Sequence, residues 1–422
     1  MTDDEVIELA RRVADRLTAA APSDGGRVNL GSGDPGIALA LLHASEVLEE
    51  ERFLKAGQAV LRRAAKATAA DPLKSAGLFT GTAGFMWVMA EFARREPRYL
   101  PSLRGVAERL NEQAPPAVAR GGAAFGEHDA INGAAGRLAA VLKVSETVSC
   151  GDAADGLVAY LLEVTEPDDD GVPNWYCPPR LYPRAAPWLQ DQFPDGMYNL
   201  GFSHGLPGIL AALTLAAAAG IGGAKVTDRV GELAEWLAAC RLDGADGPSW
   251  AGALQADPGS RLPVRDAGQV PARTAWCYGA PGVAAALFSA SAVSGDSGSR
   301  DLAVAALERV QNTPDAERHA FAPTLCHGLA GLLAVYTRAY AQTGDPGFRQ
   351  MRDDTRARLC LLAAEDHPYV FADEPEPNRL SHDAGLLEGA AGVLLALLGT
   401  VSPEASRWDE VLFLTPRDLS AI

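Results

Sequence analysis

One motif, Gly-x-x-Gly followed by an apolar run, recurs seven times along this chain of 422 residues. The first copy leads into Ile-Ala-Leu-Ala-Leu-Leu, and the last copy leads into Val-Leu-Leu-Ala-Leu-Leu. A single match would mean little, but seven at broadly regular intervals indicate a repeat architecture. The seven pairs are Gly33/Gly36, Gly81/Gly84, Gly133/Gly136, Gly205/Gly208, Gly279/Gly282, Gly328/Gly331 and Gly389/Gly392.

A more amphipathic helix is predicted ahead of each apolar run. A helix with one apolar stripe lies on a surface, whereas a helix that is apolar nearly all round is buried. We therefore predict seven outer helices alternating with seven inner helices, and few strands. Thr2 and Glu5 have the spacing of a capping box that begins the first helix. The outer helices are predicted at Glu5–Leu17, Leu54–Ala67, Leu103–Leu110, Ala153–Leu162, Val230–Cys240, Asp301–Val310 and Asp353–Ala364.

Such helix pairs can stack as an open solenoid or close into a ring. Seven apolar inner helices favour closure, so the predicted fold is an all-α, seven-fold α/α toroid formed by a single domain over residues 1–422. The glycines would begin the inner helices and direct free N–H groups toward one end of the barrel. Longer segments at about 163–199 and 243–272 are rich in Pro, Asp and Gly and are predicted to be loops at the rim. Long loops on one face are often functional, although plain linkers are the simpler interpretation.

The composition excludes some classes of protein. A formal net charge of -17 argues against a nucleic-acid-binding protein, which would carry a basic face. The apolar run from Gly205 to Ala224 is long enough for a membrane span, but it repeats the inner-helix motif, so a buried helix is predicted. The acidic N-terminus lacks a signal-peptide pattern, and the six cysteines are scattered. These features predict a cytoplasmic location.

Some repeats carry a reactive side chain just before the first glycine, in the short stretch that we call the pre-helix loop. In a closed ring, His204, Cys277, Cys326 and His327 would meet at one mouth. Two cysteines and one histidine complete the protein ligands of a catalytic zinc, with a fourth position left for substrate. Such a site is neutral overall, so a substrate thiolate there would stay deprotonated yet electron-rich. Ordinary buried cysteines are the alternative interpretation.

Five other side chains in or near these pre-helix loops are candidates for catalysis. His204 is free for proton transfer, and Asp129 could orient it. Arg273 could pair with Asp129 or stabilise a developing oxyanion, while Trp276 and Tyr278 could wall the pocket. Each also has a plainer interpretation: a capped core histidine, a helix cap, a solvated charge and ordinary packing.

Three ordered stretches resemble the lanthionine synthetase C-like (LanC) cyclases. They are Asn-Leu-Gly-Phe-Ser-His-Gly-Leu-Pro-Gly at 199–208, Arg-Thr-Ala-Trp-Cys-Tyr-Gly-Ala-Pro-Gly at 273–282 and Cys-His-Gly-Leu-Ala-Gly at 326–331. Val-Pro-Asn-Trp-Tyr at 172–176 also looks like a family feature. The resemblance spans essentially the whole chain.

The resemblance implies a seven-fold α/α toroid with one zinc ion per chain at one end. It implies Michaelis-type addition of peptide cysteine thiols to dehydroalanine or dehydrobutyrine in a dehydrated precursor peptide. The chain would be a stand-alone cyclase that acts after a separate dehydratase, with a membrane exporter as a further partner. It departs from some relatives in lacking an early insertion. The residues carried over are the zinc ligands Cys277, Cys326 and His327, the acid/base His204 with Asp129 beside it, and Arg273, Trp276 and Tyr278.

Three other functions stay open at this point. A LanC-like regulatory protein could hold zinc and a thiol such as glutathione without cyclising a peptide. Another α/α-barrel enzyme, similar in architecture to protein prenyltransferases, could activate thiols with zinc, although the carboxylate ligand pattern of those enzymes is missing. A metal-free scaffold is the last alternative.

Overall fold

Fourteen long helices run through the part of the chain that this computed structural model describes, which is residues 2–19, 27–115, 117–119, 121–265, 268–314, 322–376, 379–402 and 407–414. Odd-numbered helices match the predicted outer helices and even-numbered helices match the predicted inner ones. They are α1 (Asp3–Ala19), α2 (Asp34–Val47), α3 (Glu51–Ala70), α4 (Thr82–Arg95), α5 (Leu100–Asn111), α6 (Ala134–Ser145), α7 (Ala153–Thr165), α8 (Leu206–Ala218), α9 (Gly223–Ala239), α10 (Ala280–Ser294), α11 (Ser297–Asn312), α12 (Leu329–Thr343), α13 (Pro346–Leu361) and α14 (Ala390–Val401).

The inner helices close into a ring. Each inner helix packs against the inner helices before and after it, and α14 packs against α2. The first outer helix, α1, lies against α14 and covers the place where the chain closes. Its N-terminus has the predicted capping box, because the N–H of Thr2 donates to Glu5 (2.7 Å) and the N–H of Glu5 donates to the Thr2 hydroxyl (3.3 Å). The all-α toroid is confirmed.

Close packing between neighbouring repeats explains the second glycine of the motif. A Cβ atom on Gly84 would lie 2.7 Å from the Cβ of Leu30, three residues before the first glycine of the preceding repeat. A Cβ atom on Gly392 would lie 2.8 Å from the Cβ of Leu325, which has the same position in its own repeat. A side chain from one pre-helix loop therefore packs directly on the backbone of the next inner helix, which only glycine permits.

Seven backbone hydrogen bonds join the pre-helix loops into a closed circle at the N-terminal ends of the inner helices, which we call the loop circle. The usual member is the residue two positions before the first glycine, whose N–H donates to the corresponding carbonyl of the next repeat. In the third repeat Ala130 donates in place of Ile131. The donor–acceptor pairs are Gly31–Phe79, Phe79–Ile131, Ala130–Ser203, Ser203–Cys277, Cys277–Cys326, Cys326–Leu387 and Leu387–Gly31, at 2.8–3.2 Å. Cys277 and Cys326 are therefore consecutive members of the loop circle.

A C-terminal segment closes the other end of the barrel. The 3-10 helix Trp408–Leu412 contacts the C-terminal halves of two inner helices, α12 and α6. Asp409 accepts two hydrogen bonds from Arg338 of α12, at 2.6 and 2.8 Å. Glu410 forms an ion pair with Lys143 of α6. The candidate side chains lie at the opposite end, which carries the loop circle.

Short strands are confined to the connections. Strand β1 (Met197–Asn199) pairs antiparallel with β4 (Ala253–Gln255), which joins the two segments predicted at the rim. Residues 266 and 267 of the second segment lie outside the described residues. Hairpins are formed by β2 (Leu242–Gly244) with β3 (Gly247–Ser249) and by β5 (Asp373–Glu376) with β6 (Arg379–Ser381). Among the helices described, none is long and apolar enough to cross a bilayer, and the run beginning at Gly205 forms the inner helix α8.

Candidate functional site

The thiols of Cys277 and Cys326 meet at the loop circle. The backbone N–H of Cys277 donates to the Cys326 carbonyl at 3.2 Å, which places the two residues side by side. The Cys326 thiol also hydrogen bonds to the sulfur of Cys277, and this contact lowers the pKa of Cys277 and raises that of Cys326. Nearby positive charges on His327 and Arg273 lower the pKa of Cys277 further, while burial opposes the shift. Of the two thiols, Cys277 is therefore the one that loses its proton more readily.

His327 follows Cys326 in the chain, and its imidazole turns toward a carboxylate. Its Nε2 lies 3.4 Å from Oδ2 of Asp373, at the start of β5. This hydrogen bond is the chief cause of the raised pKa of His327. Asp373 is buried, with 7% of its side chain exposed, whereas 21% of the His327 side chain is exposed. Asp373 lies outside the repeat motifs, so no sequence pattern marks it as part of the site.

The donor set at this point fits zinc in type and number. Two sulfurs and one imidazole nitrogen are the ligands expected of a catalytic zinc with one open position. The geometry fits zinc less well than the donor types do. In the described part of the chain, no group of three or more His, Cys, Asp or Glu side chains converges to hold a metal ion. Cys277 and Cys326 touch each other, and His327 contacts Asp373 instead. Zinc ligation by these three residues stays a prediction.

His204 and Asp129 form a hydrogen-bonded pair beside the thiols. Nδ1 of His204 lies 2.6 Å from Oδ2 of Asp129, whose side chain is fully buried. The other carboxylate oxygen, Oδ1, accepts the N–H groups of Asn132 (2.6 Å) and Gly133 (2.9 Å) at the start of α6. One carboxylate therefore caps an inner helix and orients the imidazole. The His204 side chain is 36% exposed, so the rest of the ring can reach a substrate.

Tyr278 lies next to Cys277 and near His204. Its ring centroid is 6.5 Å from that of His204, and its hydroxyl accepts a hydrogen bond from the Asn199 amide at 2.9 Å. Burial raises the pKa of Tyr278 to about 12, so the phenol keeps its proton at neutral pH. A Cβ atom on Gly201 would lie 2.4 Å from the Tyr278 ring, so the ring packs where a side chain is missing. Tyr278 is thus a neutral hydrogen-bond donor at the site.

Arg273 lies exposed at the rim. Its positive charge contributes to the lowered pKa of Cys277, and at Cys326 it opposes the upward pKa shift that the Cys277 contact and burial cause. In the described part of the chain, Asp129 pairs with His204 and forms no ion pair with Arg273. An exposed position also suits a solvated charge, and stabilisation of an oxyanion by Arg273 stays a prediction.

Trp276 lies inside the barrel and is fully buried. Its ring centroid is 5.2 Å from that of Phe202 and 6.0 Å from that of Phe79. The indole N–H donates to the carbonyl of Leu412, in the segment that closes the opposite end, at 3.3 Å. These contacts are those of a packing residue in the barrel interior, next to Cys277 in the chain. The catalytic role of Trp276 stays a prediction.

His128 is a buried imidazole near the site, next to Asp129 in the chain. It is 1% exposed, and its Nδ1 has no hydrogen-bond partner among the described groups. Burial lowers the pKa of His128 to about 4, against an ordinary value of 6.5. Beside the carboxylate of Asp129, His128 is therefore neutral at pH 7.

Comparison with known proteins gives the family. The model of the lanthionine synthetase C-like proteins matches residues 26–413. The structure of nisin cyclase superposes with a TM-score of 0.79 at 17% sequence identity and covers 96% of both chains, which shows a shared fold.

Cellobiose 2-epimerase from Bacillus thermoamylovorans has a TM-score of 0.49 at 10% identity, covering 95% of this chain and 100% of the other. An α-1,6-mannanase of a Salegentibacter species has a TM-score of 0.44 at 11% identity, covering 96% and 99%. The last two are too distant to bear on function. Since the family model covers nearly the whole length, this chain belongs to the lanthionine synthetase C-like family.

Proposed function

We propose that this protein is a zinc-dependent lanthipeptide cyclase. Its reaction would add cysteine thiols of a dehydrated precursor peptide to dehydroalanine or dehydrobutyrine and so form thioether rings. Membership of the family supports this function. The observation that carries the proposal is the convergence of four consecutive pre-helix loops, which brings the paired thiols of Cys277 and Cys326 beside the hydrogen-bonded His204 and Asp129.

Cys277, Cys326 and His327 would hold the zinc ion and leave one position for the sulfur of the substrate. When bound, zinc supplies positive charge that keeps the incoming thiol deprotonated at neutral pH. The two cysteines are already adjacent in the loop circle, and both thiols would be deprotonated as zinc ligands.

The chain's own side chains then manage the charge and the proton. The peptide thiolate forms a C–S bond to the β-carbon of the dehydro residue, and the π electrons move to the carbonyl oxygen. Arg273 and the protonated Tyr278 are the groups that would stabilise this enolate oxygen. His204 would move the proton that the thiol loses and the α-carbon gains, since Asp129 fixes its Nδ1 and leaves Nε2 free. The reaction adds no atom and loses none.

The reaction needs a dehydratase upstream, because dehydroalanine and dehydrobutyrine arise from Ser and Thr by loss of water. An exporter as partner and a cytoplasmic location stay predictions.

A short synthetic peptide with one dehydroalanine and one cysteine tests the proposal. The zinc-loaded protein is expected to remove the free thiol without a change in peptide mass, as measured by thiol alkylation and mass spectrometry. His204→Gln is expected to slow this loss, by on the order of 10²-fold or more. Loss of thiol no faster than in buffer alone would contradict a cyclase. A parallel incubation with glutathione and no peptide tests the regulatory alternative, which predicts thiol binding without ring formation.

A further inference from the structure

We infer that Asp373 is a positioning residue for His327, holding the imidazole as the tautomer whose proton is on Nε2 so that Nδ1 is available as a metal ligand. The inference rests on the proposed zinc site. It concerns a residue on a hairpin that lies outside the seven repeat motifs.

The contacts of Asp373 fix its carboxylate in one orientation. Oδ1 accepts the backbone N–H of Glu374 at 2.8 Å. Oδ2 faces Nε2 of His327 at 3.4 Å, and only 7% of the Asp373 side chain is exposed to solvent. A buried carboxylate has few ways to satisfy its charge, so this one is held on the imidazole.

The backbone is strained at Val370, three residues before Asp373, and this strain favours a fixed position for Asp373. Val370 has a φ of 72°, a left-handed conformation that is an outlier for a β-branched residue. It is 1% exposed, its N–H donates to the His367 carbonyl (3.1 Å), and its carbonyl accepts from Ala364 (2.8 Å). Three residues later the chain reaches Asp373, which pairs with Ser381 in the hairpin. Strained residues of this kind persist where the surroundings hold them, and they cluster at functional sites.

The chemistry of imidazole links this contact to metal binding. A neutral imidazole has one N–H and one lone pair, and the hydrogen bond made by one nitrogen decides which nitrogen carries the lone pair. With Nε2–H held by Asp373, the lone pair is on Nδ1. Removal of such a carboxylate partner from a ligand histidine lowers the metal affinity of the site by about 10- to 100-fold.

Glu388 provides a matched control for charge alone. It follows Leu387 in the loop circle, and its negative charge acts on both Cys326 and His327. Unlike Asp373, it is exposed. If negative charge were the only factor, Glu388→Gln and Asp373→Ala would weaken metal binding alike.

The test is the zinc dissociation constant of the full chain, measured by competition with a chromophoric chelator, together with the absorption spectrum of the Co²⁺-substituted protein. Asp373→Ala is expected to bind zinc about 10- to 100-fold more weakly, with a changed Co²⁺ spectrum and an unchanged melting temperature of the metal-free protein. Asp373→Asn keeps an acceptor and is expected to regain part of the affinity, and Glu388→Gln is expected to bind like the wild type.

The outcomes separate the two proposals. Wild-type protein that binds no zinc overturns both the zinc site and this inference. Wild-type protein that binds zinc, with a folded Asp373→Ala variant that binds it equally well, overturns this inference alone. An equal loss in Glu388→Gln also overturns it, because charge would then suffice. If Asp373→Ala does not fold, Asp373→Leu, which is closer in size and also lacks an acceptor, takes its place, and equal zinc affinity and an equal Co²⁺ spectrum of that variant would count against the positioning role.

Discussion

His204 and Asp129 are 75 residues apart in the chain, yet Nδ1 of one lies 2.6 Å from Oδ2 of the other. The loop circle causes this contact, because the N–H of Ala130 donates to the carbonyl of Ser203 at 3.2 Å and places the third and fourth pre-helix loops side by side. A buried carboxylate thus orients a partly exposed imidazole next to the thiol pair. This arrangement suits the proposed role of His204 as a general acid/base, which would use its second nitrogen.

Replacement of Asp129 by Asn tests that role. Asparagine keeps an oxygen for the N–H groups of Asn132 and Gly133 but loses the charge that orients and stabilises the imidazole. We expect kcat for ring closure to fall on the order of 10²-fold or more, with zinc content unchanged. Asp296→Asn is the matched control, because Asp296 also accepts two backbone N–H groups (2.9 and 3.0 Å), but on the outer helix α11. Equal kcat values for Asp129→Asn and the wild type would rule the role out.

The packing of the second glycine predicts opposite effects for two Gly→Ala substitutions. In Gly84→Ala the new Cβ would meet Leu30 at 2.7 Å and the carbonyl oxygen of Leu78 at 1.9 Å. We expect the free energy of unfolding to fall by about 1–3 kcal/mol or more. Gly105, on the outer helix α5, has nothing within 4 Å of the position that an added methyl group would take, so Gly105→Ala should raise it by about 0.4–1 kcal/mol. Urea unfolding of the two variants checks this, and a Gly84→Ala variant as stable as the wild type would contradict the packing account.

The buried imidazole of His128 predicts a pH dependence of stability. The pKa of His128 is about 4 in the folded protein and near 6.5 when the residue is exposed. Between these two pH values His128 is therefore protonated in the unfolded chain and neutral in the folded chain. The stability that this residue contributes above pH 6.5 is therefore lost as the pH falls toward 4. The two values differ by an amount worth about 3 kcal/mol.

His128→Gln should remove that part of the acid sensitivity. We expect the variant to lose less free energy of unfolding than the wild type between pH 6.5 and pH 4, as measured by denaturant unfolding at each pH. Substitution of His367, which is partly exposed, serves as the control. Parallel pH profiles for the wild type and His128→Gln would show that His128 is not buried in its neutral form.

The architecture could be predicted from the sequence because its cause is local. Each second glycine is needed where a side chain of the neighbouring pre-helix loop packs against the inner helix, as Leu30 does at Gly84. The requirement therefore appears in the sequence as a glycine at a fixed spacing. The same regularity predicts that loop residues of adjacent repeats meet, and it therefore predicts that Cys277 and Cys326 lie together. The hydrogen bonds of the loop circle have no signature in the sequence, because backbone groups form them.

Two parts of the site could not be predicted. Asp373 lies in a hairpin between the sixth and seventh repeats, where no period applies, and a carboxylate in a loop is ordinarily solvated. Trp276 is the neighbour of Cys277, but adjacency does not give the direction of a side chain. The structure directs this indole into the barrel toward Leu412.

The zinc content of the purified protein tests the central claim most directly. We predict about one zinc per chain for the wild type and almost none for Cys326→Ala, since loss of one of three protein ligands opens the site. Cys360→Ala is the control and should keep its zinc, because burial raises the pKa of that thiol on α13 to about 11 and keeps it protonated. Wild-type protein without zinc, or Cys326→Ala with a full complement, would contradict the proposed mechanism.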